Sequence, residues 1–163
     1  MQSHHRRTIA VIDDNDDNRF IFHMFLEDHH DVVEFSDGER AIAEMKKYRP
    51  DVVFLDISLP DVDGIEILRR IRADESLRPL PVVALTAHAM LGDRKRFLEL
   101  GFDGYLSKPI MDFNQLKNIV ENAAKKSASG TGIKTEASSA SGSADCNSKP
   151  KKVPELSSEN PTW

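Results

Sequence analysis

Two runs of four apolar residues, Val52-Val53-Phe54-Leu55 and Val82-Val83-Ala84-Leu85, offer no polar position on either face of a pleated strand. A strand with one wet face alternates apolar and polar residues, so strands without alternation are covered on both sides. They belong in the middle of a parallel sheet, and the rest of the chain supplies the cover. Apolar runs predict strands at Thr8 to Ile12, Asp31 to Phe35, Asp51 to Leu55, Pro81 to Leu85 and Asp103 to Leu106. Between and after them, amphipathic stretches predict helices near Asp16 to Asp28, Asp37 to Tyr48, Gly64 to Ala73, Met90 to Leu100 and Phe113 to Lys125. Strands alternating with helices in this way specify an α/β fold with helices on both faces of the sheet. Ala41, Ile42 and Met45 share a face of the second helix, with Ser36 expected as its N-cap; Phe113, Leu116, Ile119 and Val120 share a face of the fifth. Pro50 and Gly101 punctuate helix ends.

Chemistry-bearing residues follow the strands. Asp13 and Asp14 come after the first, Asp56 after the third, and Lys108-Pro109 after the fifth. In open α/β sheets ligands bind in the crevice beyond the carboxyl ends of the strands. Three carboxylates crowded there repel one another unless a divalent cation or a lysine neutralises them, which predicts a Mg²⁺ and phosphate site.

The chain has 163 residues and a net charge of -5, enough for one domain and something extra. The extra begins near Lys126. From Ser127 onward Ser, Ala, Gly, Lys and Pro dominate, with Ile133, Val153, Leu156 and Trp163 as the only sizeable apolar side chains, too few to offset the entropy of ordering. The expected layout is a disordered N-terminus over 1–7, a folded domain over 8–126 and a disordered polar tail over 127–163. Lys134, Lys149, Lys151 and Lys152 balance Glu136, Asp145, Glu155 and Glu159 in the tail, so the negative charge belongs to the folded part. An acidic domain is not expected to bind nucleic acid. No apolar run approaches the roughly 20 residues that span a bilayer, and no leader pattern opens the chain, so no membrane partner and a cytoplasmic location are expected. The single cysteine, Cys146, cannot form an internal disulfide, which fits a reducing compartment.

With these positions in hand, residues from about Thr8 to Lys126 resemble a receiver domain of two-component response regulators, of the stand-alone or hybrid-kinase phosphorelay type. The matching elements are Asp13 and Asp14, Asp56 in VVFLDIS, Thr86 in ALTAHA, Tyr105, and Lys108-Pro109 in YLSKP. The resemblance implies a flavodoxin-like, doubly wound five-stranded parallel sheet of order 2-1-3-4-5. It makes Asp56 the acceptor of a phosphoryl group from a histidine of a kinase or phosphotransfer protein. Asp14, Asp56 and the backbone carbonyl of Ser58 would bind Mg²⁺ directly, and Asp13 through water. Lys108, the Thr86 hydroxyl and the Ala87 backbone N–H would hold phosphoryl oxygens, with the Lys108-Pro109 bond cis. Thr86 and Tyr105 would form the switch that alters the surface read by a downstream protein target, and Ser58 and His88 would tune the acyl-phosphate lifetime. Such a domain is a signalling module and not an enzyme beyond its own phosphorylation and dephosphorylation. It is expected as a monomer or weak homodimer.

The first helix carries more apolar surface than one face can bury. Ile21, Phe22 and Phe25 supply that face, while Phe20 and Met24 form a second i, i+4 pair. By the resemblance, that pair docks a kinase or phosphotransfer helix; otherwise it covers the sheet edge.

Two other readings compete. Asp14-x-Asp16 after a strand suggests a haloacid-dehalogenase-type phosphohydrolase with Asp14 as nucleophile, but Asn18 stands where that family wants Thr or Val, and Asp56 would be idle. An interaction module independent of phosphorylation would need none of the site residues. The histidines His4 and His5 offer too few ligands for a metal, His29 and His30 read as a turn, and Arg19 and Phe25 break the resemblance of Asp14 to Asn18 to an EF-hand loop.

Overall fold

The computed structural model describes residues 6–87 and 93–129. In chain order its elements are β1 (Thr8–Ile12), α1 (Asp16–Leu26), β2 (Asp31–Phe35), α2 (Gly38–Tyr48), β3 (Val52–Asp56), α3 (Gly64–Ala73), β4 (Val82–Thr86), α4 (Asp93–Leu100), β5 (Gly104–Ser107) and α5 (Phe113–Ser129). The sheet order is β2-β1-β3-β4-β5 and every pairing is parallel. The apolar runs predicted a parallel sheet covered on both faces, and the resemblance implied this doubly wound order; both are present.

Strand periodicity divides the core into two layers. Ala10, Ile12, Val53, Leu55, Val82 and Ala84 point to one face, where Ala41 and Met45 of α2, Ile67, Leu68 and Ile71 of α3 and Phe97 of α4 cover them. The alternate residues Ile9, Val11, Val52, Phe54, Val83 and Leu85 point to the other, under Phe22 and Leu26 of α1 and Leu116, Val120 and Ala123 of α5. The rings of Phe22 and Phe54 meet at 4.8 Å between centroids. Each fully buried side chain of this size contributes about 1.5–3 kcal/mol, which explains why β1, β3 and β4 hold the site rigidly.

Several element ends differ from expectation. The second helix is capped by Asp37 and not Ser36: Asp37 is extended (φ -143, ψ 153) and its carboxylate accepts from the Arg40 N–H, so Ser36 lies one residue too early. Strands β3, β4 and β5 begin one residue later than predicted and run one residue further, through Asp56, Thr86 and Ser107. Helix α5 continues through Ser129, so the first three residues assigned to the tail are helical. Arg6 and Arg7, assigned to a disordered terminus, are tied down. Arg6 pairs with Asp31 at 2.7 Å and donates to the Glu27 carbonyl, and the Arg7 carbonyl accepts from the Asp31 N–H.

The expected punctuation is present. Gly101 follows α4 at φ 102, a conformation open to glycine, and Pro50 follows Arg49. Arg49 itself caps α2 in the left-handed region, at φ 47 and ψ 59, at a cost of about 1–2 kcal/mol to an L-residue with a side chain. Among the described residues, no helix is long and apolar enough to cross a membrane. His4, His5, His88, Cys146 and the tail from 130 lie outside the described residues.

Candidate functional site

Parallel pairing brings the carboxyl ends of β1, β3 and β4 together, with Ile12 opposite Leu55 and Asp56 opposite Leu85. The residues that follow these strands therefore converge. Asp13 is fully buried and Asp56 is 3% exposed, while Asp14 faces solvent. One carboxylate oxygen from each of the three lies within 4.8 Å of the others. At such separations the two buried carboxylates, Asp13 and Asp56, repel by about 3–4 kcal/mol at an effective dielectric of about 20, and exposed Asp14 adds a weaker, water-screened repulsion.

Lys108 offsets part of that repulsion. Its Nζ lies 2.6 Å from Asp56 Oδ2 and 2.8 Å from Asp13 Oδ2, bridging the two buried carboxylates. Burial works to lower the pKa of the ammonium, but hydrogen bonds to Asp13 and Asp56 and their charges outweigh it, so Lys108 is raised above the ordinary lysine value. Its backbone is fixed from two sides: the Lys108 N–H donates to the Thr86 carbonyl at 2.8 Å, and the Lys108-Pro109 peptide is cis, as expected.

One lysine against three carboxylates leaves the cluster two negative charges in excess. Hard oxygen donors, a net double charge and an open side at Asp14 fit a Mg²⁺ ion, which prefers few carboxylates and keeps waters. Ser58, expected to supply a carbonyl, donates its own N–H to Asp56 Oδ1 at 2.9 Å and so orients the Asp56 carboxylate.

Thr86 ends β4 and is 3% exposed; Ala87 follows it at the surface. Tyr105 is half-buried and stacks on Phe97, with centroids 6.2 Å apart at 28°. His88 lies outside the described residues. Phe20 and Met24 do not cover the sheet edge: they are 60% and 55% exposed on α1, while Phe22 takes the buried face.

Sequence reasoning missed a shell of residues that hold Asp13. The Asn18 amide donates to both Asp13 oxygens, at 3.2 and 3.1 Å, and the Asn15 N–H donates to Oδ1 at 2.9 Å. Asn15 also caps α1, accepting from the N–H groups of Asp17 and Asn18. Arg19 donates to the Asp13 carbonyl at 2.6 Å and pairs with Asp16 and Glu34. A cap residue followed three positions later by a second amide was the available signal. Gly64 was also missed as a site residue: a Cβ there would lie 2.3 Å from the Asp56 carbonyl oxygen and 2.7 Å from Ile57 Cα, so only glycine lets α3 start against the end of β3.

Known proteins resemble this chain in sequence and fold. The polar-differentiation response regulator DivK of Brucella anthropi is 34% identical over 105 residues, covering 64% of this chain and 85% of that protein. Among solved structures, the receiver domain of sensor histidine kinase PA1611 from Pseudomonas aeruginosa, with a magnesium ion coordinated in its active-site cleft, is 32% identical, with a TM-score of 0.66. That match covers 74% of this chain and 99% of the other. A response regulator described as putative, from Chloroflexus aurantiacus, is 27% identical with a TM-score of 0.68, covering 74% and 99%. The family model for the response regulator receiver domain matches residues 9–121, from the first strand into the last helix, and the chain belongs to that family.

Proposed function

We propose that Asp56 accepts a phosphoryl group from a phosphohistidine of a kinase or phosphotransfer protein, and that the resulting charge switches a surface read by a downstream protein. The observation that carries this reading is the bridge from Lys108 to both Asp56 and Asp13 inside a three-carboxylate cluster. A structural salt bridge needs one carboxylate, and a half-buried lysine bridging two carboxylates beside a third makes sense for a centre that binds a cation and receives a phosphoryl group.

In this reading an Asp56 oxygen attacks phosphorus as the bond from phosphorus to the histidine nitrogen breaks, leaving the electron pair on the imidazole. Asp56 is suited to the task because a carboxylate needs no neighbouring base to be nucleophilic at neutral pH. Asp14, Asp56 and the Ser58 carbonyl would hold Mg²⁺, with Asp13 acting through water, and the ion when bound offsets charge on the phosphoryl oxygens. Lys108 exchanges a carboxylate partner for a phosphoryl oxygen, and the Thr86 hydroxyl and Ala87 N–H hold the remaining oxygens, the positioning that phosphoryl transfer chiefly requires. Movement of Thr86 toward the phosphate then frees space for Tyr105, biasing a two-state element. Ser58 and His88 set how water reaches the acyl phosphate. Phe20 and Met24 form the docking surface for the phosphodonor protein.

Labelling by acetyl phosphate, followed on a phosphate-affinity gel, tests the centre. Mg²⁺-dependent label is expected in the wild type and none in Asp56→Asn. Label that survives without Asp56 but needs Asp14 would replace this reading with the phosphohydrolase one. Replacing Phe20 and Met24 together by serine should slow transfer from a phosphohistidine protein while leaving acetyl phosphate labelling intact.

A further inference from the structure

At the end of the sheet away from Asp56, the segments leading into β3 and β4 enclose a cleft of about 510 Å³. Buried Met45, Pro50, Leu77 and Leu80 and exposed Pro79 line it, and the exposed cations Lys46 and Arg49 stand at its rim. Pro50 and Asp56 are six residues apart along an extended segment, about 20 Å at about 3.3 Å per residue, so no small ligand touches both cleft and acceptor.

The two rim cations are not equivalent. Lys46 pairs with Asp74 at 2.5 Å, and Ser76 at the cleft wall also donates to Asp74, at 2.6 Å. Arg49 has no ion-pair partner among the described residues. It is exposed, and its backbone is held in the left-handed region by the helix cap, in which its N–H donates to the Met45 carbonyl. Cations at a helix C-terminus complement the dipole, which accounts for Lys46 and Lys47. It does not account for an arginine in a conformation suited to glycine, or for an apolar cavity beside it.

We infer that this cleft binds a small aromatic carboxylate, with the flat apolar body on Leu77, Pro79 and Leu80 and the carboxylate on the Arg49 guanidinium. The volume falls in the range of small-molecule sites, which are mainly apolar with a few placed polar groups. A guanidinium meets a carboxylate with two parallel N–H bonds, which sets both orientation and charge preference. This site is separate from phosphoryl transfer and does not rest on it.

The test is a titration of the isotope-labelled full chain with 2-naphthoate, followed by amide chemical shifts, with the neutral 2-naphthamide in parallel. Saturable shifts confined to residues 45–49 and 76–80 are expected, with 2-naphthamide weaker by about tenfold. Arg49→Gly suits the backbone conformation, so it should keep the spectrum of the fold while weakening 2-naphthoate by about fivefold or more. Arg49→Lys, which leaves the cap unchanged and swaps the fork for a point charge, should weaken it by about twofold or more. Equal binding of the neutral amide, unchanged affinity in either variant, shifts centred on Phe20 and Met24, or no saturation would each overturn the proposal.

Discussion

Asp14 shows how a single residue can be held in a costly position for the sake of a ligand. Lys108 pairs with Asp13 and Asp56, and Asp14 adds a third charge within 4.8 Å from the exposed side. In water-facing surroundings that repulsion amounts to about 1 kcal/mol, so Asp14→Asn should raise stability by about that much in EDTA. Mg²⁺ should stabilise the wild type and leave Asp14→Asn nearly unchanged, because ligand binding adds stability only where the site is complete. Urea midpoints with and without Mg²⁺ check both arms; a variant less stable than wild type in EDTA would remove repulsion from the account. Gly64 is constrained by space. An added methyl at 2.3 Å from the Asp56 carbonyl oxygen meets backbone, which cannot swing aside, so Gly64→Ala should cost about 1–3 kcal/mol and reduce labelling of Asp56. Asp56 and Lys108 were legible because one ends a strand and the other directly follows one. Asn18 and Arg19 were not, because they reach Asp13 only when the first turn of α1 folds back over the end of β1.

At the scale of elements, α2 and α3 are joined by a contact whose pH dependence has a definite sign. Asp74, the C-cap of α3, is lowered to about 2 by a hydrogen bond from Lys46, then by bonds from the Ser76 side chain and backbone. A carboxylate with a depressed folded pKa contributes fully above its unfolded value, and that contribution is lost as pH falls toward the folded pKa. The difference in melting temperature between wild type and Asp74→Asn should therefore hold steady above about pH 5 and narrow between about pH 4 and pH 2. A difference that instead grows on acidification would contradict the pairing. Sequence placed these elements well where a core face was present, as with Ala41 and Met45 in α2 or Phe22 in α1. It placed their ends less well. Ser36 and Asp37 are both good caps, and only the observed reach of the Asp37 carboxylate to the Arg40 N–H separates them.

For the whole molecule, two-sided burial makes the sheet unequal across its width. Strands β1, β3 and β4 have neighbours on both edges and side chains in both core layers, whereas β2 and β5 are edges with half-exposed positions. Hydrogen exchange should accordingly be slowest at residues 9–12, 52–56 and 82–86, near the global unfolding limit, with β2 and β5 opening sooner. Uniform protection across all strands would show that the sheet opens only as a unit. Sequence alone determined the α/β class, the parallel pairing and which residues follow which strands, because apolar periodicity and strand length are local properties. Tertiary structure decided what Lys108 touches, which carboxylates are buried, that Phe20 and Met24 face solvent, and that a cleft opens beside Arg49. These depend on distances between segments tens of residues apart, and such distances exist only once both core layers have closed over the sheet.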